Sequence, residues 1–205
     1  MQRKASLSRK TKETDIAVKL NIDGDGKAKI KTPIGLLNHM LELFAFHGLF
    51  DLEIIAKGDI KKIDIHHTNE DIGIVLGEAF KKALGDKRGI RRFGCASVPM
   101  EEVVANVVVD ISGRGVFGFS PRQAPVFKEL HAKPKEEYEL KDMAHFFESF
   151  AKHMGINLNI KVEPINPDLH TTLEPIFKAF GIALDQATQI DPRRKGIPST
   201  KGVID

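Results

Sequence analysis

The amino-acid sequence contains one unit twice, and this duplication limits the possible folds more than any other feature. Residues 66–83 align with 170–187 at an offset of 104, with seven identities in eighteen positions. Residues 39–54 align with 145–160 at an offset of 106, with seven identities in sixteen. Unrelated segments of this length share about one identity. We therefore expect the chain to fold as two similar halves.

Each half has the periodicity of strands followed by a helix, a strand and a second helix. In the first half we predict a strand over 15–20, a hairpin turn at Asp23-Gly24-Asp25-Gly26, a helix over 36–46 with a glycine C-cap at Gly48, a strand over 52–56 and a helix over 67–84. In the second half we predict strands over 103–111 and 156–162 and helices over 140–153 and 171–189. Alternating strands leave one apolar face for helices to cover. We expect an α+β protein whose halves, 1–95 and 96–205, pack into one compact unit.

The composition excludes several classes of protein. With 41% hydrophobic residues and no apolar stretch near the roughly 20 residues of a membrane span, the chain is not expected to enter a membrane. A net charge of +3, from 31 basic and 28 acidic residues, is too balanced for a dedicated nucleic-acid binder. The single cysteine, Cys95, excludes an intrachain disulfide and a cysteine zinc site, and a cytoplasmic location is expected. Five of the first twelve residues are Lys or Arg, which predicts a basic tail.

Histidine and glutamate recur at helical spacing in both halves. His66 and Glu70 lie at i and i+4 on one face of a predicted helix, and His170 and Glu174 repeat the pair. A single such pair is usually a surface ion pair, but its recurrence in a duplicated chain favours a metal site. Imidazole and carboxylate ligands without a thiolate suit Mn²⁺, Fe²⁺ or Zn²⁺.

Basic and hydroxyl groups elsewhere are suited to a phosphate monoester. Arg92 and Arg114 each follow a glycine-containing turn, and the tail carries Ser199, Thr200 and Lys201. Guanidinium, hydroxyl and ammonium groups are the donors that bind phosphate. Taken separately, each is more often a turn residue or a solvated charge than part of a phosphate site.

At this point the sequence resembles the imidazoleglycerol-phosphate dehydratase family of histidine biosynthesis, nearly from end to end. The motifs that carry the resemblance include Arg9-x-Thr11-x-Glu13-Thr14, Asn38-His39-Met40-Leu41, His47-Gly48, Gly58-Asp59, His66-His67-Thr68-x-Glu70-Asp71, Gly89-Ile90-x-Arg92-Phe93-Gly94, Ser112-Gly113-Arg114, Phe177-Lys178-Ala179 and Pro198-Ser199-Thr200-Lys201-Gly202. The double-histidine helix and the tail motif together are highly specific.

The resemblance implies a fold, a reaction and an assembly. The halves would have the fold of ribosomal protein S5 domain 2, and trimers would build a large symmetric shell with active sites between subunits. The enzyme would be a Mn²⁺-dependent hydro-lyase that converts imidazole glycerol phosphate into imidazole acetol phosphate. Nucleic acid and membrane are not implied partners.

The resemblance also implies the roles of individual residues. One metal ion would bind His39, His67, His170 and Glu174, and the other His66 and Glu70 together with two further histidines. The expected catalytic residues are Glu13, His47, His67 and Glu174, of which Glu13 and His47 are candidates for proton transfer. The substrate would contact Glu13, His39, His47, His66, Glu70, Arg92, Arg114, His170, Lys178, Ser199, Thr200 and Lys201.

The sequence departs from the family pattern mainly at the second metal site. Thr171 stands where the family has its second histidine, and no histidine occurs over 156–163, where Asn159 or Lys161 occupies the ligand region. His145, the repeat mate of His39, or the Lys161 ammonium could compensate. Smaller departures are Ile65, Glu101 and Asp168.

These departures leave several functions open. The first is an active dehydratase with one firm and one weak or rebuilt metal site. The second is a metal-binding relative with little or no activity that serves as a structural or regulatory shell. The third is a different lyase or a phosphatase acting on a related phosphate ester. A nucleic-acid module, suggested only by the basic tail, would show binding that falls steeply with salt.

Overall fold

The computed structural model describes residues 3–61, 63–121 and 138–204. In the first half, the elements are β1 (Lys4–Lys10), β2 (Thr14–Asn21), β3 (Ala28–Lys31), α1 (Gly35–His47), β4 (Asp51–Gly58) and α2 (His66–Leu84). In the second half, they are β5 (Phe93–Met100), β6 (Val103–Asp110), β7 (Val116–Pro121), α3 (Leu140–Met154), β8 (Asn157–Glu163) and α4 (Leu169–Thr188). The succession of strands and helices is the same in both halves, which confirms the predicted duplication and the α+β class.

Each half forms one four-stranded sheet with the same topology. The strand orders are β1-β2-β4-β3 and β5-β6-β8-β7. In each sheet the first three strands pair antiparallel, and the last pairs parallel with its neighbour. The buried residues of β2 alternate with exposed ones and those of β6 with partly buried or exposed ones, so the helices cover one face of each sheet, as expected.

The helices of the two halves pack against each other between the sheets. α2 contacts α3, and α1 contacts α4. Because α1 corresponds to α3 and α2 to α4 in the repeat, the two contacts are equivalent. A Cβ on Gly77 would lie 2.6 Å from the carbonyl oxygen of Phe150, and one on Gly181 would lie 2.5 Å from that of Phe44. Gly77 and Gly181 are repeat mates, as are Phe44 and Phe150, and these glycines permit the close helix crossings.

Phenylalanine rings fill the space between the halves. The ring of Phe44 stacks on that of Phe180 with centroids 5.0 Å apart, and Phe150 meets Phe80 at 5.7 Å and Phe180 at 5.2 Å. All four side chains are buried. Burial of rings from both halves in one cluster supplies the apolar contact that holds the helices, and the site residues they carry, in place.

The structure corrects two predictions in the first half. The basic N-terminal segment is not a tail, because residues 4–10 form β1, an edge strand paired along its length with β2; lysines suit an exposed edge. The turn at Asp23-Gly24-Asp25-Gly26 does not close a hairpin. β4 lies between β2 and β3, and the Asp51 carboxylate of β4 accepts the N–H groups of Asp25 and Lys27 at 2.9 and 3.2 Å.

Three smaller findings concern the end of α1, the division between the halves and the character of the helices. The C-cap of α1 is Gly48, as predicted, but its backbone is right-handed and Leu49 takes the positive φ. The expected division at 95/96 falls inside β5, which pairs with β6 over its whole length, so we propose that the halves divide at residues 85–92. In the part of the chain that the structure describes, no helix is long and apolar enough to cross a membrane.

Candidate metal and substrate site

The first half of the candidate site lies where α1 meets α4. His39 of α1 and His170 and Glu174 of α4 have donor atoms within 4.8 Å of one another. The Nε2 atom of His170 lies 2.8 Å from Oε2 of Glu174, and that of His39 lies 3.7 Å from the same oxygen. The two imidazole rings stack with centroids 5.1 Å apart. We call these three residues group A.

Charged neighbours of group A set its protonation. Burial opposes ionisation of Glu174, but the Lys178 ammonium, 2.5 Å from Oε1, and His170 outweigh it, so the pKa of Glu174 lies below its usual value. His47, at the end of α1, has a pKa below the ordinary histidine value because of burial and then of Lys178, which Glu174 partly offsets. Group A therefore contains an ionised carboxylate, and His47 beside it favours the neutral form.

The repeat places a second group where α2 meets α3. The Nε2 atom of His66 lies 3.6 Å from Oε2 of Glu70, and the rings of His66 and His145 meet edge-to-face with centroids 5.1 Å apart. The Nδ1 atom of His145 is buried and has no hydrogen-bond partner among the described residues. We call His66, Glu70 and His145 group B. Within the described ranges, only group A has all its donor atoms within 4.8 Å.

His67 belongs to neither group in this chain. Its Nδ1 atom lies 3.3 Å from Oδ2 of Asp59 and 3.9 Å from Oε2 of Glu13. The hydrogen bond with Asp59 raises the pKa of His67, with further contributions from Glu13 and Asp59 charges against the opposing effect of burial. An imidazole held at Nδ1 by a carboxylate presents Nε2 outward, as metal-bound histidines do.

A half-exposed ion pair and its hydrogen bonds fix Glu13 next to His67. The Asp71 carboxylate of α2 accepts hydrogen bonds from Nε of Arg9 at 3.0 Å and from Oγ1 of Thr14 at 2.5 Å. The Thr11 hydroxyl accepts the backbone N–H groups of Glu13 and Thr14, both at 3.0 Å. The turn between β1 and β2 is thereby tied to the first turns of α2. The sequence motifs contain Arg9, Thr11 and Thr14 in one stretch and Asp71 in another, but they do not reveal that these residues position Glu13.

Arg92 and the tail, two of the expected phosphate-binding elements, lie together in the structure. Arg92 donates from Nε and Nη2 to the Asp110 carboxylate at 2.6 and 3.1 Å and from Nη1 to the carbonyl of Pro198 at 2.9 Å. The tail therefore begins beside Arg92. Ser199 accepts the N–H of Lys201 at 3.2 Å and Gly202 donates to its carbonyl at 3.0 Å, which forms a turn. Arg114 and Lys201 are exposed.

The structure explains most of the departures from the family pattern. Ile65 is buried in the core. The preceding residue, Asp64, accepts the backbone N–H of His66 at 2.8 Å. Asp168 caps α4 by accepting the N–H of His170 at 3.1 Å. Glu101 has a positive φ in the turn between β5 and β6. Thr171 is 6% exposed.

The two β8 candidates lie away from group B. Asn159 and Lys161 alternate with the buried Leu158, Ile160 and Val162, so they lie on the face of the sheet opposite the helices. Lys161 pairs with Glu163 at 3.1 Å. Compensation by the Lys161 ammonium therefore does not occur within one chain and stays a prediction for a site between copies, whereas His145 reaches His66 in the same chain.

Comparison with known proteins identifies the family. The family model described as imidazoleglycerol-phosphate dehydratase matches residues 32–184. The chain belongs to the imidazoleglycerol-phosphate dehydratase family. It is 51% identical to the imidazoleglycerol-phosphate dehydratase of Geobacter metallireducens over 100% of both chains. It is 50% identical to that of Thermoanaerobacter sp., over 98% of this chain and 100% of the relative.

Solved structures of the family have the same fold. The crystal structure of the Pyrococcus furiosus dehydratase in complex with (S)-C348 matches with a TM-score of 0.78 and 34% identity, over 96% of this chain and 99% of the other. The enzyme of Staphylococcus aureus matches with a TM-score of 0.77 and 31% identity, over 92% and 99%. The resemblance inferred from the motifs is confirmed.

Proposed function

We propose that this chain is a metal-dependent hydro-lyase that converts imidazole glycerol phosphate into imidazole acetol phosphate and water in histidine biosynthesis. The observation that carries the proposal is full-length membership of the dehydratase family combined with the convergence of His39, His170 and Glu174. In the reaction a proton leaves one carbon of the side chain and a hydroxyl leaves its neighbour. The comparisons do not favour the alternative of a structural or regulatory shell without activity.

Group A fits a divalent metal ion of the Mn²⁺ type. Two imidazoles and one carboxylate within 4.8 Å form a hard-to-intermediate ligand set without thiolate. Group B has the same composition, and the buried Nδ1 atom of the half-buried His145 lacks the partner that a buried polar atom needs among the described residues. Mn²⁺ bound at these groups would supply Lewis acidity to the imidazole of the substrate.

Proton transfer falls to side chains beside the two groups. His47 has a lowered pKa, so its neutral imidazole can accept a proton near neutral pH. Glu13 is exposed and is held 3.9 Å from His67 by the Asp71 network. We assign proton transfer to these two residues, while Glu174 and His67 act through the metal.

The phosphate of the substrate would be held near the tail. Arg114 and Lys201 are exposed cations, and Ser199 and Thr200 supply hydroxyls. Arg92 is engaged with Asp110 and Pro198, so it positions the tail and contributes its positive charge. These groups bind and orient the substrate, which places the reacting carbons next to the metal ligands.

The proposed residues require two copies of the chain. His67 and Glu13 lie together on the α2 side, whereas His47 and Glu174 lie at the α1–α4 contact, and no hydrogen bond or ion pair joins the two sets in the described part of the chain. We infer that the site forms between subunits, in a homo-oligomer built from trimers, with Nε2 of His67 from one copy completing group A of another. A cytoplasmic location is part of this proposal.

A mixing experiment tests the shared site. His67→Ala and Glu174→Ala are each expected to abolish turnover. When the two variants are dissociated, mixed in equal amounts and reassembled, about a quarter of the sites receive both native residues if subunits combine at random. Recovery of about a quarter of wild-type turnover supports a site between copies. Two variants that stay inactive after verified mixing would contradict it, and retained activity of Glu174→Ala alone would refute group A.

A further inference from the structure

The two ligand groups contain the same three residue types, placed by the repeat. His145 of group B corresponds to His39 of group A, at an offset of 106, and His66 and Glu70 correspond to His170 and Glu174, at an offset of 104. In both groups the histidine of the shorter helix contacts the first histidine of the longer helix with ring centroids 5.1 Å apart. The repeat therefore gives the chain two groups of the same composition, of which group A has its donor atoms closer together in the described part of the chain.

The repeat fails at the next position of each longer helix. His67 follows His66, but its repeat mate is Thr171. The His67 side chain is 31% exposed, and its Nδ1 is held by Asp59, which leaves Nε2 for a ligand outside the chain. Thr171 is buried, at 6% exposure, and a neutral hydroxyl is a poor replacement for imidazole as a ligand of Mn²⁺.

The same interface cannot complete both groups equally. An interface that follows the repeat and brings the start of α2 in one copy to group A of another would also bring the start of α4 to group B. The first contact delivers the imidazole of His67, and the second delivers Thr171. Group A then has four protein ligands, whereas group B has three.

We propose that the assembled protein binds two metal ions per chain with unequal affinity: a tight one at group A completed by His67 of a neighbouring copy, and a weak, exchangeable one at group B. The proposal rests on the shared site of the proposed function. Group B keeps the capacity to bind a metal ion, because the buried Nδ1 of His145 has no hydrogen-bond partner among the described residues and is available as a ligand. A three-ligand Mn²⁺ site leaves one more coordination position to water or substrate than a four-ligand site, and its ion is held by one protein ligand fewer.

Titration of the metal-free oligomer with Mn²⁺ by calorimetry tests the proposal without substrate. We expect two classes of site, one Mn²⁺ per chain in each, with dissociation constants that differ by at least about tenfold, the minimum effect of losing a metal-site interaction. Thr171→His should tighten the weak class by at least about tenfold and leave the tight class unchanged. His145→Ala should remove the weak class only.

Two further variants make the test decisive. Thr171→Val is the matched control: it preserves size and removes the hydroxyl, and both affinities should equal those of the wild type. If Thr171→His does not fold, His67→Thr provides the test. Its tight Mn²⁺ class should weaken to the affinity of the weak class. Two equal tight classes in the wild type, a weaker second class in Thr171→Val, or an unchanged tight class in His67→Thr would each overturn the proposal.

Turnover measured on the same samples separates this proposal from the proposed function. Two unequal classes without dehydration of imidazole glycerol phosphate would contradict the function and leave the metal inference intact. Dehydration by a protein with two equal Mn²⁺ classes would support the proposed function and contradict the metal inference.

Discussion

A close contact between α1 and α4 predicts a coupling between helix packing and metal binding. Gly181 of α4 lies against α1, so that a Cβ at this position would sit 2.5 Å from the carbonyl oxygen of Phe44. An ordinary contact begins at 3.4 Å, so Gly181→Ala forces the helices apart by 3.4 − 2.5 = 0.9 Å. Group A has His39 on α1 and the other two ligands on α4, and a site of this kind tolerates displacements of only about 0.5 Å.

The magnitude follows from comparison with a second glycine of the same helix pair. Gly35 of α1 has nothing within 4 Å of its Cβ position, so Gly35→Ala gains helix propensity, up to about 1 kcal/mol, without overpacking. Overpacking costs about 1–3 kcal/mol. Gly181→Ala should therefore be less stable than Gly35→Ala by about that amount, which corresponds to roughly 2–12 °C in Tm for a chain of this size.

Thermal unfolding and Mn²⁺ titration of the two variants provide the assay. Gly181→Ala should weaken the tight Mn²⁺ class by at least about tenfold, while Gly35→Ala leaves it unchanged. Gly77→Ala, the repeat mate, has its Cβ 2.6 Å from the Phe150 carbonyl and should weaken the other class. Equal Tm and equal Mn²⁺ affinity in Gly181→Ala and Gly35→Ala would refute the argument that the α1–α4 contact sets the geometry of group A.

Three further predictions concern the network, the tail and the metal. Thr14→Val removes the hydroxyl donor to the buried Asp71 carboxylate, and loss of such a bond should lower the free energy of unfolding by about 1–3 kcal/mol and reduce kcat through Glu13; an unchanged urea midpoint would contradict it. Arg92→Lys cannot keep the bonds to both Asp110 and Pro198, so we expect KM for the phosphate substrate to rise at least about tenfold with a smaller change in kcat; steady-state kinetics would expose an unaltered KM. Removing metal with a chelator should lower Tm, and Mn²⁺ at a hundred times its dissociation constant should restore about 2.7 kcal/mol; a Tm insensitive to Mn²⁺ would show that no metal binds the folded state.

The duplication made most of the fold predictable from the sequence. The helices have clear apolar periodicity, so α1, α2, α3 and α4 were placed within about two residues of their observed ends. β1 was missed because its alternation is carried by small or partly buried apolar residues, Ala5 and Leu7, among lysines and serines. The hairpin failed because strand pairing is a long-range property: the pairing of β3 with β4 depends on residues more than twenty positions away.

The candidate site was predictable where helical spacing defines it. His170 and Glu174 at i and i+4 meet as expected, and His39 joins them through the packing of α1 on α4. The residues that orient His67 could not be derived in this way, since Asp59 lies in a loop without periodicity and Asp71 acts through tertiary contacts with Arg9 and Thr14. The role of His145 was available from the repeat as the mate of His39, and its contact with His66 in the same chain supports it over the strand residues.

The most direct test of the account is turnover of imidazole glycerol phosphate by the purified, Mn²⁺-loaded oligomer, followed as formation of imidazole acetol phosphate. The account predicts sustained turnover that disappears in Glu174→Ala and returns when Mn²⁺ is restored to chelator-treated wild-type protein. An oligomer that assembles and binds Mn²⁺ but forms no imidazole acetol phosphate would contradict the proposed function, and turnover that survives Glu174→Ala would contradict the assignment of group A.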